Sequence, residues 1–71
     1  MAKKAAKVPK KLGKNIQKRR KSLEITQEDL AYKIGISRAY MGYIEQGRNA
    51  PSLEVLQKIA KELKIKLNSL F

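Results

Sequence analysis

From Leu12 onward the apolar residues return at three- and four-residue steps, the spacing that puts side chains on one face of a helix. Leu12 and Ile16 stand four apart, and Leu23 carries that inner face on toward the core. A first helix is predicted over about Leu12 to Lys21, with Gly13 weakening its first turn. Leu30, Ala31 and Ile34 share one face of a second helix, Gln27 to Ile34. Thr26 is a good N-cap for it, with Asp29 three residues on completing a capping-box pattern, and Gly35 follows at the C′ position. Ser37 caps a third helix. On it Met41 and Ile44 face the second helix, while Arg38, Ala39, Gly42 and Tyr43 lie mostly on the other side. The turn-rich segment Gln46 to Pro51 ends this helix, and Ser52 caps a fourth. There Leu53, Leu56, Ile59, Ala60 and Leu63 form a core-facing stripe. Ile65, Leu67, Leu70 and Phe71 make a short apolar finish, read as one helical turn. No internal repeat or second domain is visible.

The stretches Thr26-Gln27-Glu28-Asp29-Leu30-Ala31, Ile34-Gly35-Ile36-Ser37 and Ile44-Glu45-Gln46-Gly47 resemble the Cro/C1-type (XRE-like) helix-turn-helix family. Ala31 is small where two helices would touch, Gly35 stands at the turn, and Leu30, Ile34, Ile36, Met41 and Ile44 keep fixed offsets. The resemblance covers roughly Leu12 to Phe71. It implies an all-α, compact five-helix domain of the lambda-repressor-like kind, over residues 12–71. It further implies a double-stranded DNA operator as partner, a transcriptional regulator, most often a repressor, as function, and no catalysis. The loop from Arg48 to Leu53 and the short length are similar to controller proteins of restriction-modification systems; stand-alone phage-type repressors fit equally.

Charge sharpens this picture. The formal net charge is +11, and Lys3 to Lys21 hold ten of the seventeen basic residues, with no acid before Glu24. The remainder, with seven basic and six acidic residues, is nearly balanced. A strongly basic leading segment points to a polyanion, nucleic acid ahead of an anionic membrane surface, with plain solubility as the bland reading. Residues 1–11, mostly Lys and Ala with one Val and Pro9, are read as a flexible basic arm, because that composition buries too little apolar surface to order itself alone.

Composition removes other classes of function. With no cysteine and no histidine there is no disulfide, no thiolate zinc site, no nucleophilic cysteine and no histidine acid–base chemistry. No metal, cofactor or small-molecule effector is expected. No apolar run approaches the ~20 residues of a membrane span and the basic start lacks a secretory core, so no membrane partner and a cytoplasmic location are expected.

Individual roles follow. A helix entering the major groove reads bases with its N-terminal part, which here means Arg38, Ala39, Gly42 and Tyr43. Arg38 can donate twice to a guanine, Ala39 can touch a thymine methyl, Gly42 leaves room, and Tyr43 reaches a base or a phosphate or else packs over the helix. Gln27, at a helix N-terminus, is the first candidate for phosphate, joined by Ser37, Tyr40, Arg48 and Asn49. Arg20 and Glu45 each follow an apolar residue by four, and similar proteins join these positions in a salt bridge. The family commonly pairs as homodimers. Leu67, Leu70 and Phe71 are the candidate interface, with packing against their own fourth helix as the competing assignment. Two other functions stay open: an antitoxin-like interaction module with secondary DNA binding, and a nonspecific nucleic-acid-coating protein.

Overall fold

A computed structural model describes the backbone of residues 2–71 and the side chains from residue 9 onward. Four helices run in order, α1 (Ala2–Ser22), α2 (Gln27–Ile34), α3 (Arg38–Glu45) and α4 (Leu53–Glu62), followed by one 3₁₀ turn (Leu67–Leu70). No strand occurs among the described residues. The expected five-helix domain is thus four α-helices plus a terminal 3₁₀ turn.

Local chemistry sets the helix ends. Thr26, Ser37 and Ser52 each adopt an extended backbone, and each side-chain oxygen accepts a hydrogen bond from the amide three residues on, at 3.0, 3.0 and 3.2 Å. These bonds satisfy amides that a helix start leaves unpartnered. Gly35 closes α2 in the left-handed region, at φ 81°, and its amide reaches back to the carbonyls of Ala31 and Tyr32. The reversal between α2 and α3 therefore needs only Gly35, Ile36 and Ser37.

Leu12 and Ile16 from α1, Leu30, Ala31 and Ile34 from α2, Met41 and Ile44 from α3, and Leu56, Ile59 and Ala60 from α4 are buried together with Leu63 and Leu70. The α2–α3 pair packs on α1 through α3 and on α4 through α2. The first helix also holds the end of the chain: Asn15 Nδ2 donates to the Leu70 carbonyl at 2.8 Å, and Arg19 Nε to the Leu63 carbonyl at 2.9 Å. Arg19 thus satisfies one of the carbonyls that the C-terminal end of α4 leaves without a helical partner.

Three expectations change. The first helix starts at Ala2, not near Leu12, so residues 2–11 continue α1 and are not an irregular lead-in. Lysine and alanine are strong helix formers, and adding turns to an existing helix avoids the cost of nucleation that an isolated arm would face. Met1 lies outside the described residues. Leu53 is 60% exposed and does not belong to the core stripe. It occupies the first position of α4, roughly 70° off the centre of the buried face at 3.6 residues per turn. Leu70 is fully buried in the chain's own core, so it is not available as an interface residue.

Candidate nucleic-acid interface

Ser37 caps the first turn of α3, and Arg38 and Ala39 stand there exposed. One turn on, Tyr43 is 44% exposed and Gly42 half-buried. The four residues expected to read bases share this outward side, opposite the buried Met41 and Ile44. A Cβ added to Gly42 would meet only Gln27 Oε1 at 3.8 Å and Gln46 Nε2 at 4.0 Å, both ordinary contacts. The missing side chain therefore opens a notch flanked by two amides, and nothing in the packing of the chain requires it.

A buried polar group fixes how α3 sits. The Arg20 guanidinium grips the Glu45 carboxylate twice, Nε to Oε2 at 2.7 Å and Nη2 to Oε1 at 3.0 Å. Its Nη1 donates to the Ile25 carbonyl at 2.6 Å, and Gln27 Nε2 donates to Glu45 Oε1 at 2.9 Å. Arg20 and Glu45 are each only 6% exposed, and no buried side-chain nitrogen or oxygen among the described residues lacks a partner. Desolvation offsets much of the attraction in such a pair, so its main effect is orientation: the planar fork admits one arrangement of α1, the start of α2 and the end of α3.

This arrangement alters what Gln27 can offer. Its Nε2 faces the carboxylate, which only accepts, so Oε1 is the atom turned toward the notch at Gly42. An amide oxygen repels a phosphate, so what Gln27 retains for phosphate is the backbone amide at the start of α2 and the second Nε2 hydrogen. Ser37 and Tyr40 flank the first turn of α3, but the Ser37 oxygen already accepts from the Tyr40 amide at 3.0 Å and the half-buried Tyr40 ring packs against the core. Arg48 and Asn49 are exposed in the loop after α3, and the Arg48 guanidinium carbon lies 5.7 Å from the centre of the Tyr43 ring. That cation–π contact draws Arg48 and Tyr43 together at the edge of the reading face. Of the terminal residues, Leu67 is half-buried against the core and Phe71 is 50% exposed.

Two residues to which the sequence assigns no site role prove to position α3. A Cβ on Gly13 would lie 2.5 Å from the carbonyl oxygens of both Ile44 and Glu45, so α1 rests directly on the last turn of α3. A Cβ on Gly47 would lie 2.7 Å from the Cα of Lys10. For Gly13 the only sequence signal is a glycine inside a helix, whereas Gly47 also takes a left-handed backbone, at φ 77°, which favours glycine in its own right.

Known proteins share this geometry. A helix-turn-helix family model matches residues 16–70. The "ImmF control region 10 kDa protein" of Bacillus phage phi105 is 41% identical over 61 residues, covering 86% of this chain and 68% of the phage protein. The "Immunity repressor protein" of the same phage is 37% identical over 59 residues, 83% of this chain but 41% of that protein. Among solved structures, the restriction-modification controller protein C.AhdI from Aeromonas hydrophila superimposes with a TM-score of 0.85 at 33% identity, over 89% of this chain and 96% of that one. With the capped α2–α3 corner, the outward face of α3 and these matches in place, the chain belongs to the Cro/C1-type helix-turn-helix family of DNA-binding transcriptional regulators.

Proposed function

We propose that this protein is a transcriptional repressor, or a regulator of the controller type, that occupies a double-stranded DNA operator as a homodimer with α3 in the major groove. The single observation that carries the reading is the outward face of α3, where Arg38 stands exposed on a capped first turn and the buried Arg20–Glu45 pair sets the helix's direction. Arg38 donates to O6 and N7 of a guanine, Ala39 contacts a thymine methyl, and Tyr43 with Arg48 bounds the face. Phosphates on either side are held by the Gln27 backbone amide, Ser37, Tyr40, Arg48 and Asn49. Two reading helices, one per subunit, meet successive major grooves about 34 Å apart. The protein works by occupancy, without catalysis, cofactor or effector.

Selection of bound sequences from random duplex DNA tests this directly, because it returns base preference and half-site spacing together. Two related half-sites are expected. Truncation of Arg38 to Ala then tests the reader. Arg38 is exposed and holds no core contact, so thermal unfolding should be unchanged. Operator binding should weaken by about 1 to 3 kcal/mol per half-site, with the loss concentrated at one G·C pair. An equal loss on all sequences would make Arg38 a phosphate contact.

A further inference from the structure

The helix that supports α3 from behind carries a charged face that the operator reading leaves unused. Lys11, Lys14, Lys18 and Lys21 follow one another at steps of three and four, and all four are exposed. Leu12, Ile16 and Arg20 are buried on the opposite side of α1. The four lysines therefore form a line along the outer face, about 15 Å long at the usual helical rise. No acidic residue precedes Glu24. Among the described residues the ion pairs are Arg20 with Glu45 and Lys58 with Glu54, so no carboxylate neutralises this line.

Like charges three and four apart repel and weaken the helix that bears them, so an arrangement of this kind gains from a polyanion laid along it. Its position indicates which. The backbone of Lys10 abuts Gly47, so the N-terminal end of the line starts beside the loop bearing Arg48 and Asn49. The large apolar residues of α1 between 9 and 22 are turned into the core, so this face has nothing to insert at a lipid boundary, as an amphipathic membrane helix must. We propose that the outer face of α1 is a second, sequence-independent binding track for the phosphate backbone of duplex DNA, supplied by the flank of the bound site or by a second duplex. The track stands whether or not α3 is the reader.

The test replaces Lys11, Lys14, Lys18 and Lys21 together by Gln in the full chain. Glutamine keeps helix propensity, so thermal unfolding should be unchanged or slightly raised. If the track lies on the flank, the plot of log affinity against log salt on a long duplex becomes shallower by about 0.9 for each phosphate the lysines had neutralised. Base preference stays as before, and a short duplex confined to the selected site shows little change. If the track takes a second duplex, the single-duplex slope is unaltered but capture of a labelled duplex by protein on immobilised DNA is lost. Unchanged slope and unchanged capture would overturn the proposal. So would loss of binding to phosphatidylserine vesicles with both DNA measurements unaltered. Failure of the random-duplex selection to return any preferred sequence would sink the α3 reading alone, since the salt slope on arbitrary DNA still reports on the track.

Discussion

Two glycines in helix interiors have opposite reasons to be there, and substitution separates them. Gly13 has carbonyl oxygens where a Cβ would go, so Gly13→Ala must push α1 off the end of α3. A loss of about 1 to 3 kcal/mol is expected in denaturant unfolding, despite alanine's better helix propensity. A Cβ at Gly42 meets nothing closer than ordinary contact, so Gly42→Ala should stabilise the protein by about 0.5 to 1 kcal/mol, raising Tm by several degrees. The same methyl fills the notch between Gln27 and Gln46, so operator affinity should fall while stability rises. A Gly42→Ala protein that binds its selected operator unchanged would remove the notch from the interface. Neither difference could be read from the chain, because a glycine's neighbours are set by packing between distant segments. In the sequence, Gly13 is no more than a weak first turn.

Among the elements, those whose boundaries depend on their own few residues were legible. Thr26, Ser37, Ser52 and Gly35 carry their instructions within three or four positions, and α2, α3 and the start of α4 follow them. The start of α1 was not legible, since a Lys/Ala segment is helical or irregular according to whether a helix already exists beside it. Leu53 misled because it keeps the three-residue step to Leu56 yet sits at the start of α4, off the centre of the buried face. The Arg20–Glu45 pair, expected from the resemblance, is present, but the third member, Gln27, expected to face DNA, also serves the carboxylate. Arg20→Ala would leave Glu45 buried without its guanidinium. Chemical unfolding should show a loss of about 3 to 5 kcal/mol, a large part of the roughly 5 to 15 kcal/mol typical of a domain. Replacing Arg20 by Met and Glu45 by Leu together should recover much of that loss. The double variant should still bind DNA poorly, because nothing then orients Gln27 and the end of α3.

At the scale of the whole molecule, the proposed homodimer raises the question of which surface would join two copies. With Leu70 committed to the core, Phe71 is the terminal residue with most apolar surface to offer, and Leu67 adds its uncovered part. If pairing uses this end, Phe71→Asp should shift sedimentation toward the monomer while leaving the monomer's unfolding intact. Covering the exposed half of the ring is worth about 1 kcal/mol per subunit, so Phe71→Ala should weaken the dimer measurably without abolishing it. A two-fold symmetric footprint from a Phe71→Asp protein that still sediments as a dimer would place the interface elsewhere.

The hydrogen bonds from Asn15 to Leu70 and from Arg19 to Leu63 join residues 55 and 44 positions apart. During synthesis, α1 is made first and its last partners are made last. At the usual rate of roughly 5 to 20 residues per second, Leu12 and Ile16 wait about 3 to 12 s for the terminal turn that completes their cover. For that interval the nascent chain displays an apolar stripe backed by a row of lysines, an amphipathic helix without its body. A chain stalled before Leu63 should therefore be captured by chaperones and cut readily by protease, and one in which the turn Leu67–Leu70 has docked should resist both.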